Sequence, residues 1–144
     1  MAPSKRSWPR LQGISPLLQV YDMPTSVDFY TRVMGFVVTQ HSPGEGTLFD
    51  WCSLERDGIS LMLNTRYESD SRPSAPDPSS YDTHGDTCIF LGCKDLDTAY
   101  QTIAQQGWPV DPPTTAPYGM RQLNVRDPDG YGLCLQWATD GSWG

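Results

Sequence analysis

Six side chains stand out for their chemistry: two histidines, His41 and His84, and four cysteines, Cys52, Cys88, Cys93 and Cys134. His84 precedes Asp86 by two residues. Imidazole titrates near neutral pH and a neighbouring carboxylate can orient it, so His84 with Asp86 is the candidate acid/base pair. A histidine at a loop end is just as readily a plain surface group, and that reading stays open. His41 lies beside "SPGEG" and reads as exposed, while Asp50 and Glu55 flank a strand-like run and read as solvated charges. Cysteine acts as a nucleophile only as thiolate, which needs a basic neighbour. None of the four forms a Cys-x-x-Cys pair, three lie in apolar runs, and Cys88 and Cys134 have no such neighbour in sequence. Inert, reduced thiols are the expectation, as in a cytosolic protein.

Cys134 is the least expected of them. It sits in "RQLNVRDPDGYGLCLQW", residues 121 to 137. Asp127-Pro128-Asp129-Gly130 is turn chemistry between two apolar runs: proline presets φ and glycine supplies a positive one. The returning strand alternates, so Gly132, Cys134 and Gln136 share one face and Leu133, Leu135 and Trp137 the other. A cysteine therefore lies in the polar-side row.

The elements that would position these groups repeat. "ISPLLQVYD" reads as a strand and "MPTSVDFYTRVMGF" as a helix, with Pro24 in its first turn, a stripe of Val27, Tyr30, Val33 and Met34, and Gly35 as its stop. Three strands follow in "FVVTQHS", "TLFDWCSLER" and "ISLMLNT", the last two joined by Asp57-Gly58, a strong hairpin signal. The second half repeats the order: strand "DTCIFLGC", helix "KDLDTAYQTIAQQGW" capped by Asp95 or Asp97 and stopped by Gly107, turn-rich "VDPPTTAPYGM", then strands "RQLNVR" and "GYGLCLQW". The shared order points to an internal duplication. Residues 1–12 read as an arm, 13–66 as a first βαβββ module, 67–85 as a Ser/Pro/Asp-rich linker or lid carrying Tyr67 and Tyr81, and 86–138 as a second module, all within one domain, 1–144.

Bulk properties narrow the function. A chain of 144 residues buries roughly 70% of its unfolded surface and needs no disulfide or metal staple. The net charge of −7 argues against nucleic acid as a partner. No apolar run approaches the ~18 residues of a membrane span, and no apolar stretch follows the basic N-terminus as in a secretory signal. A cytoplasmic protein is expected.

The paired modules, the opening "SPLLQVYDMPTSVDFYTRVMGF" and the closing "YGMRQLNVRDPDGYGLCLQW" together resemble the vicinal oxygen chelate superfamily of glyoxalase I, extradiol dioxygenases, fosfomycin-inactivating enzymes and bleomycin-resistance proteins, over about residues 13 to 138. The resemblance is greatest to the bleomycin-resistance and glyoxalase-like branches. It implies an α+β fold of two U-shaped sheets with helices on their convex sides and a cup between them. It also implies four metal-ligand positions on the concave strands, which fall at Ser15, Met62, Cys88 and Cys134. Cys134 thus stands where the metal enzymes carry a carboxylate. A set of Ser, Met, Cys and Cys lacks the hard oxygen and nitrogen ligands of those enzymes, so no metal and no cofactor is expected. Soft sulfurs facing one cup leave a copper(I) or zinc site as a lesser alternative.

Strand alternation extends the inward row from those four positions. Leu17 and Gln19 join Ser15; Ser60 and Asn64 join Met62; Asp86 and Phe90 join Cys88; Gln136 joins Cys134. Leu123 and Val125 should face the helix, leaving Gln122, Asn124 and Arg126 inward. The expected site is an apolar, sulfur-rich cup ringed by amides that takes a small organic molecule, in a homodimer. Two other readings remain: an enzyme of the same superfamily, metal-free through His84 and Asp86 or with its metal ligands elsewhere, and a structural or regulatory dimer without ligand.

Overall fold

The computed structural model describes residues 7–68 and 70–141. The first six residues of the expected arm therefore lie outside the described residues. Two four-stranded sheets form, each from one half of the chain.

In the first half β1 (Leu17–Val20) leads into α1 (Met23–Asp28), then β2 (Val37–His41), β3 (Trp51–Arg56) and β4 (Ile59–Thr65). The sheet order is β1-β4-β3-β2, with β1 parallel to β4 and the other pairs antiparallel. The Asp57-Gly58 turn has φ of 52° and 78°, the two left-handed residues of a tight hairpin. The Asp22 side chain accepts from Thr25 N and caps α1, and Pro24 falls in the first turn.

In the second half β5 (Cys88–Gly92) leads into α3 (Leu96–Gln105), then β6 (Thr114–Thr115), β7 (Met120–Arg126) and β8 (Gly132–Ala138), in the matching order β5-β8-β7-β6. Asp95, not Asp97, caps α3; Asp97 pairs with Arg121 instead. The two-residue β6 comes from the stretch that reads as turns. Between the halves, the expected linker holds a helix, α2 (Pro78–His84), capped by Asp77 through Ser79 N.

One apolar core serves both halves. Leu18, Val20, Cys52, Leu54, Leu61 and Leu63 enter it from the first sheet, and Leu123, Val125, Leu133 and Leu135 from the second. Helix α1 runs into a π-helical turn, Phe29–Val33, with Met34 N donating to Phe29 O. Phe29, Tyr30 and Val33 of this turn are all buried. Phe29 packs on Trp108 of the other half at 4.7 Å between ring centroids.

A buried carboxylate also ties the halves together. Asp127 is 1% exposed. Its Oδ1 accepts from the N–H groups of Asp129 and Tyr131, and its Oδ2 from the Tyr30 hydroxyl at 2.7 Å. Asp129 accepts from Tyr21 N at 2.8 Å and from Ser26 Oγ at 3.2 Å. The Asp-Pro-Asp-Gly turn thus reaches across to β1 and α1. Gly130, at φ +90°, lets the turn come against α2: a Cβ there would sit 2.2 Å from the Tyr81 carbonyl oxygen.

Candidate functional site

Pleating splits each sheet into a core face and an open face. On the first sheet, Leu17 is opposite Met62 and Gln19 opposite Asn64, and Ser15 Oγ lies 3.4 Å from Ser60 Oγ. Trp51, opposite Asn64, joins this open row, and Cys52 faces the core. On the second sheet, Cys134 lies opposite Phe90 on one side and Asn124 on the other, and Gln122 lies opposite Gln136. The Cys88 sulfur packs on Gly132, 3.3 Å from where a Cβ would stand.

The open rows combine apolar and sulfur groups with amides. Phe90 is 49% and Leu17 44% exposed, so the chain itself leaves much of both faces uncovered. Gln122 Nε2 donates to Gln136 Oε1 at 3.0 Å and to the Tyr118 hydroxyl at 2.9 Å. Asn64 Nδ2 donates to Thr65 O, and Asn124 is exposed. No buried side-chain nitrogen or oxygen among the described residues lacks a partner.

Cys134 is 1% exposed, and burial pushes its thiol up to about 11; burial does the same to Cys52 and raises Cys88. All three are protonated at neutral pH and poorly suited to nucleophilic attack or ligation. Two protonated thiols, a thioether and a serine hydroxyl 3.4 Å from another serine do not fit a hard divalent ion. Among the described residues no three of His, Cys, Asp and Glu come together as a metal site.

Three expected site residues act elsewhere. Arg126 is committed to the chain: it donates through Nη2 to Tyr81 O at 2.7 Å and through Nε to Gly130 O at 3.1 Å, and its guanidinium lies 4.1 Å from the centre of the Tyr81 ring. His84 and Asp86 do not form a pair. The His84 ring stacks on Tyr131 at 4.0 Å, and Nδ1 donates to the Asp129 carbonyl at 2.7 Å. Asp86 is exposed just ahead of β5, its N–H bonded to Thr83 O. Short-range spacing suggested the pair, and the Asp129 carbonyl, 45 residues away in sequence, took the imidazole instead.

His84 lines a cavity of about 520 Å³ set apart from the open faces. Residues after the end of β1, the start of α1, Arg66 and Tyr67, Pro76 and Asp77 with α2, and the 128–129 turn line it. Tyr67 and Tyr81 of the segment between the modules stand in its wall. Sequence reading missed this cavity because it missed α2, although Asp77-Pro78 is an N-cap followed by an N1 proline.

The family model described as Glyoxalase/Bleomycin resistance protein/Dioxygenase superfamily matches residues 13–135. A comparison with curated proteins gives no match. Among solved structures, a glyoxalase/bleomycin resistance protein/dioxygenase from Nocardioides is similar at TM-score 0.69 and 22% identity, over 96% of this chain and 91% of that one. TioX from Micromonospora sp. ML1 is similar at 0.65 and 22%, over 88% and 99%. TnmS3, an antibiotic-binding protein from Streptomyces sp. CB03234, is similar at 0.61 and 24%, over 88% and 97%. At such identities the structural likeness establishes the fold.

Proposed function

Since the chain belongs to the glyoxalase/bleomycin resistance protein/dioxygenase superfamily, we propose that it binds a small organic molecule between the open faces of its sheets, without a catalytic metal, as a homodimer. The observation that carries this reading is the make-up of those faces. Leu17, Met62, Phe90 and Cys88 offer an apolar, polarizable floor with Cys134 buried beneath it, and Gln19, Asn64, Gln122, Asn124 and Gln136 offer placed amides. TnmS3, a protein of similar fold, is itself an antibiotic-binding protein. The half-exposed Phe90 and Leu17 favour a second copy as the cover, because an apolar sheet face left in water is a liability.

Thermal-shift and calorimetric titration with a panel of aromatic antibiotics tests the reading, with light scattering for mass and elemental analysis for metal. A saturable ligand, a dimer and far less than one transition metal per chain are expected, with affinity lowered in Phe90→Ala and Cys134→Ala. A Cys134 methyl in place of the thiol removes packing surface worth about 1–2 kcal/mol. One metal per chain lost on mutating Met62 or Cys88 overturns the metal-free reading, and a monomer overturns the dimer.

A further inference from the structure

The cavity lined by Arg66, Tyr67 and residues from Pro76 to His84 shares no lining residue with the open faces. We propose that it is a second binding site, selective for an organic cation with a flat apolar body. Its volume, about 520 Å³, is in the range of pockets that enclose drug-sized molecules. Three tyrosines, Tyr21, Tyr67 and Tyr81, and three prolines, Pro76, Pro78 and Pro128, supply apolar wall.

The charge of the lining selects the ligand's sign. Four carboxylates, Asp22, Asp77, Asp82 and Asp129, line the cavity with Arg66, and Arg72 and Arg126 lie over the rings of Tyr21 and Tyr81, so acidic groups still outnumber basic ones by one. Asp22 is matched by Arg72, Asp77 caps α2, and Asp129 is held by Tyr21 N and Ser26. The Asp82 carboxylate makes no hydrogen bond or ion pair among the described residues and is the charge free to meet a ligand. Arg66 is engaged by Ser80 Oγ at 2.6 Å. The His84 ring also lines the cavity, fixed in place by the Nδ1 contact with the Asp129 carbonyl.

The rings already display this chemistry. Arg72 lies over Tyr21 at 4.9 Å, Arg66 over Tyr67 at 5.5 Å and Arg126 over Tyr81 at 4.1 Å. Each guanidinium takes one face of its ring, and the same three rings line the cavity. An aromatic quaternary ammonium would meet tyrosine faces and carboxylates together, the two features that stabilise a desolvated organic cation.

Fluorescence titration of the whole chain with berberine, a planar quaternary ammonium, against the anion 1-anilinonaphthalene-8-sulfonate tests the proposal. Saturable berberine binding is expected, tighter than that of the anion. Asp82→Asn, which alters an exposed carboxylate with no partner in the fold, should weaken it about fivefold, and Tyr67→Ala comparably. Phe90→Ala on the open face should leave it unchanged, which separates this site from the one proposed above; failure of either reading leaves the other standing. Absence of saturation, equal binding of the anion, or unchanged affinity in Asp82→Asn overturns the proposal. So does a loss confined to Phe90→Ala. Should Tyr67→Ala fail to fold, Asp82→Asn decides alone.

Discussion

Asp127 shows how much one residue in a turn can carry. Burial is the main influence on its carboxyl and raises it from 3.8 to about 6, although three hydrogen bonds pull the other way. A folded-state value above the unfolded one means that the native state holds the proton more tightly. The resulting stability is complete below pH 3.8 and is lost as pH rises through about 6. At roughly 1.4 kcal/mol per pH unit, the contribution is about 3 kcal/mol. Asp127→Asn keeps the shape and an acceptor for the turn N–H groups, and its amide can donate to the Tyr30 oxygen. Chemical denaturation across that window should show the variant gaining on the parent as pH rises; a constant difference would show that the carboxylate is already ionised throughout. The row that Cys134 shares with Gly132 and Gln136 was legible because alternation is local. The burial of Asp127 was not, because its partner Tyr30 lies 97 residues away in sequence.

At the scale of elements, strands and hairpins were legible wherever apolar residues alternated between turn signals. The placement of Leu123 and Val125 on the core face follows from that period alone. Helix α1 buries its whole stripe of Val27, Tyr30, Val33 and Met34, and the π turn that begins at Phe29 buries that ring as well. Helix α2 is a different case: none of its residues is buried, so it has no apolar stripe to read. Its place comes from contacts with the 126–131 turn: Arg126 and Gly130 at the Tyr81 carbonyl, and His84 stacked on Tyr131. Gly130→Ala should therefore cost about 1–3 kcal/mol through both the positive φ and the clash. Hydrogen exchange should reveal faster amides across residues 78–84, and unaltered protection there would mean that α2 docks without this close approach.

The whole molecule is two copies of one order around a single core, and the repeat made that architecture readable. How the halves join was not readable, because it rests on pairs such as Phe29 with Trp108 and Arg32 with the Gln106 carbonyl, which no local period encodes. A shared core couples their stabilities. Calorimetry should therefore show one unfolding transition for both sheets. Two resolved transitions would mean that each module stands alone.

The pleat of β7 has an evolutionary consequence. Leu123 and Val125 are locked into the interior, whereas Gln122, Asn124 and Arg126 are not. Along one strand, successive residues thus answer to separate demands, one to persistence of the fold and the next to what the surface meets. Drift at Gln122 or Asn124 can explore new chemistry at little risk to the scaffold, because the backbone ladder to β8 holds whichever side chain is mounted there. Lineages sharing this scaffold can diverge in what they recognise while their interiors stay nearly still.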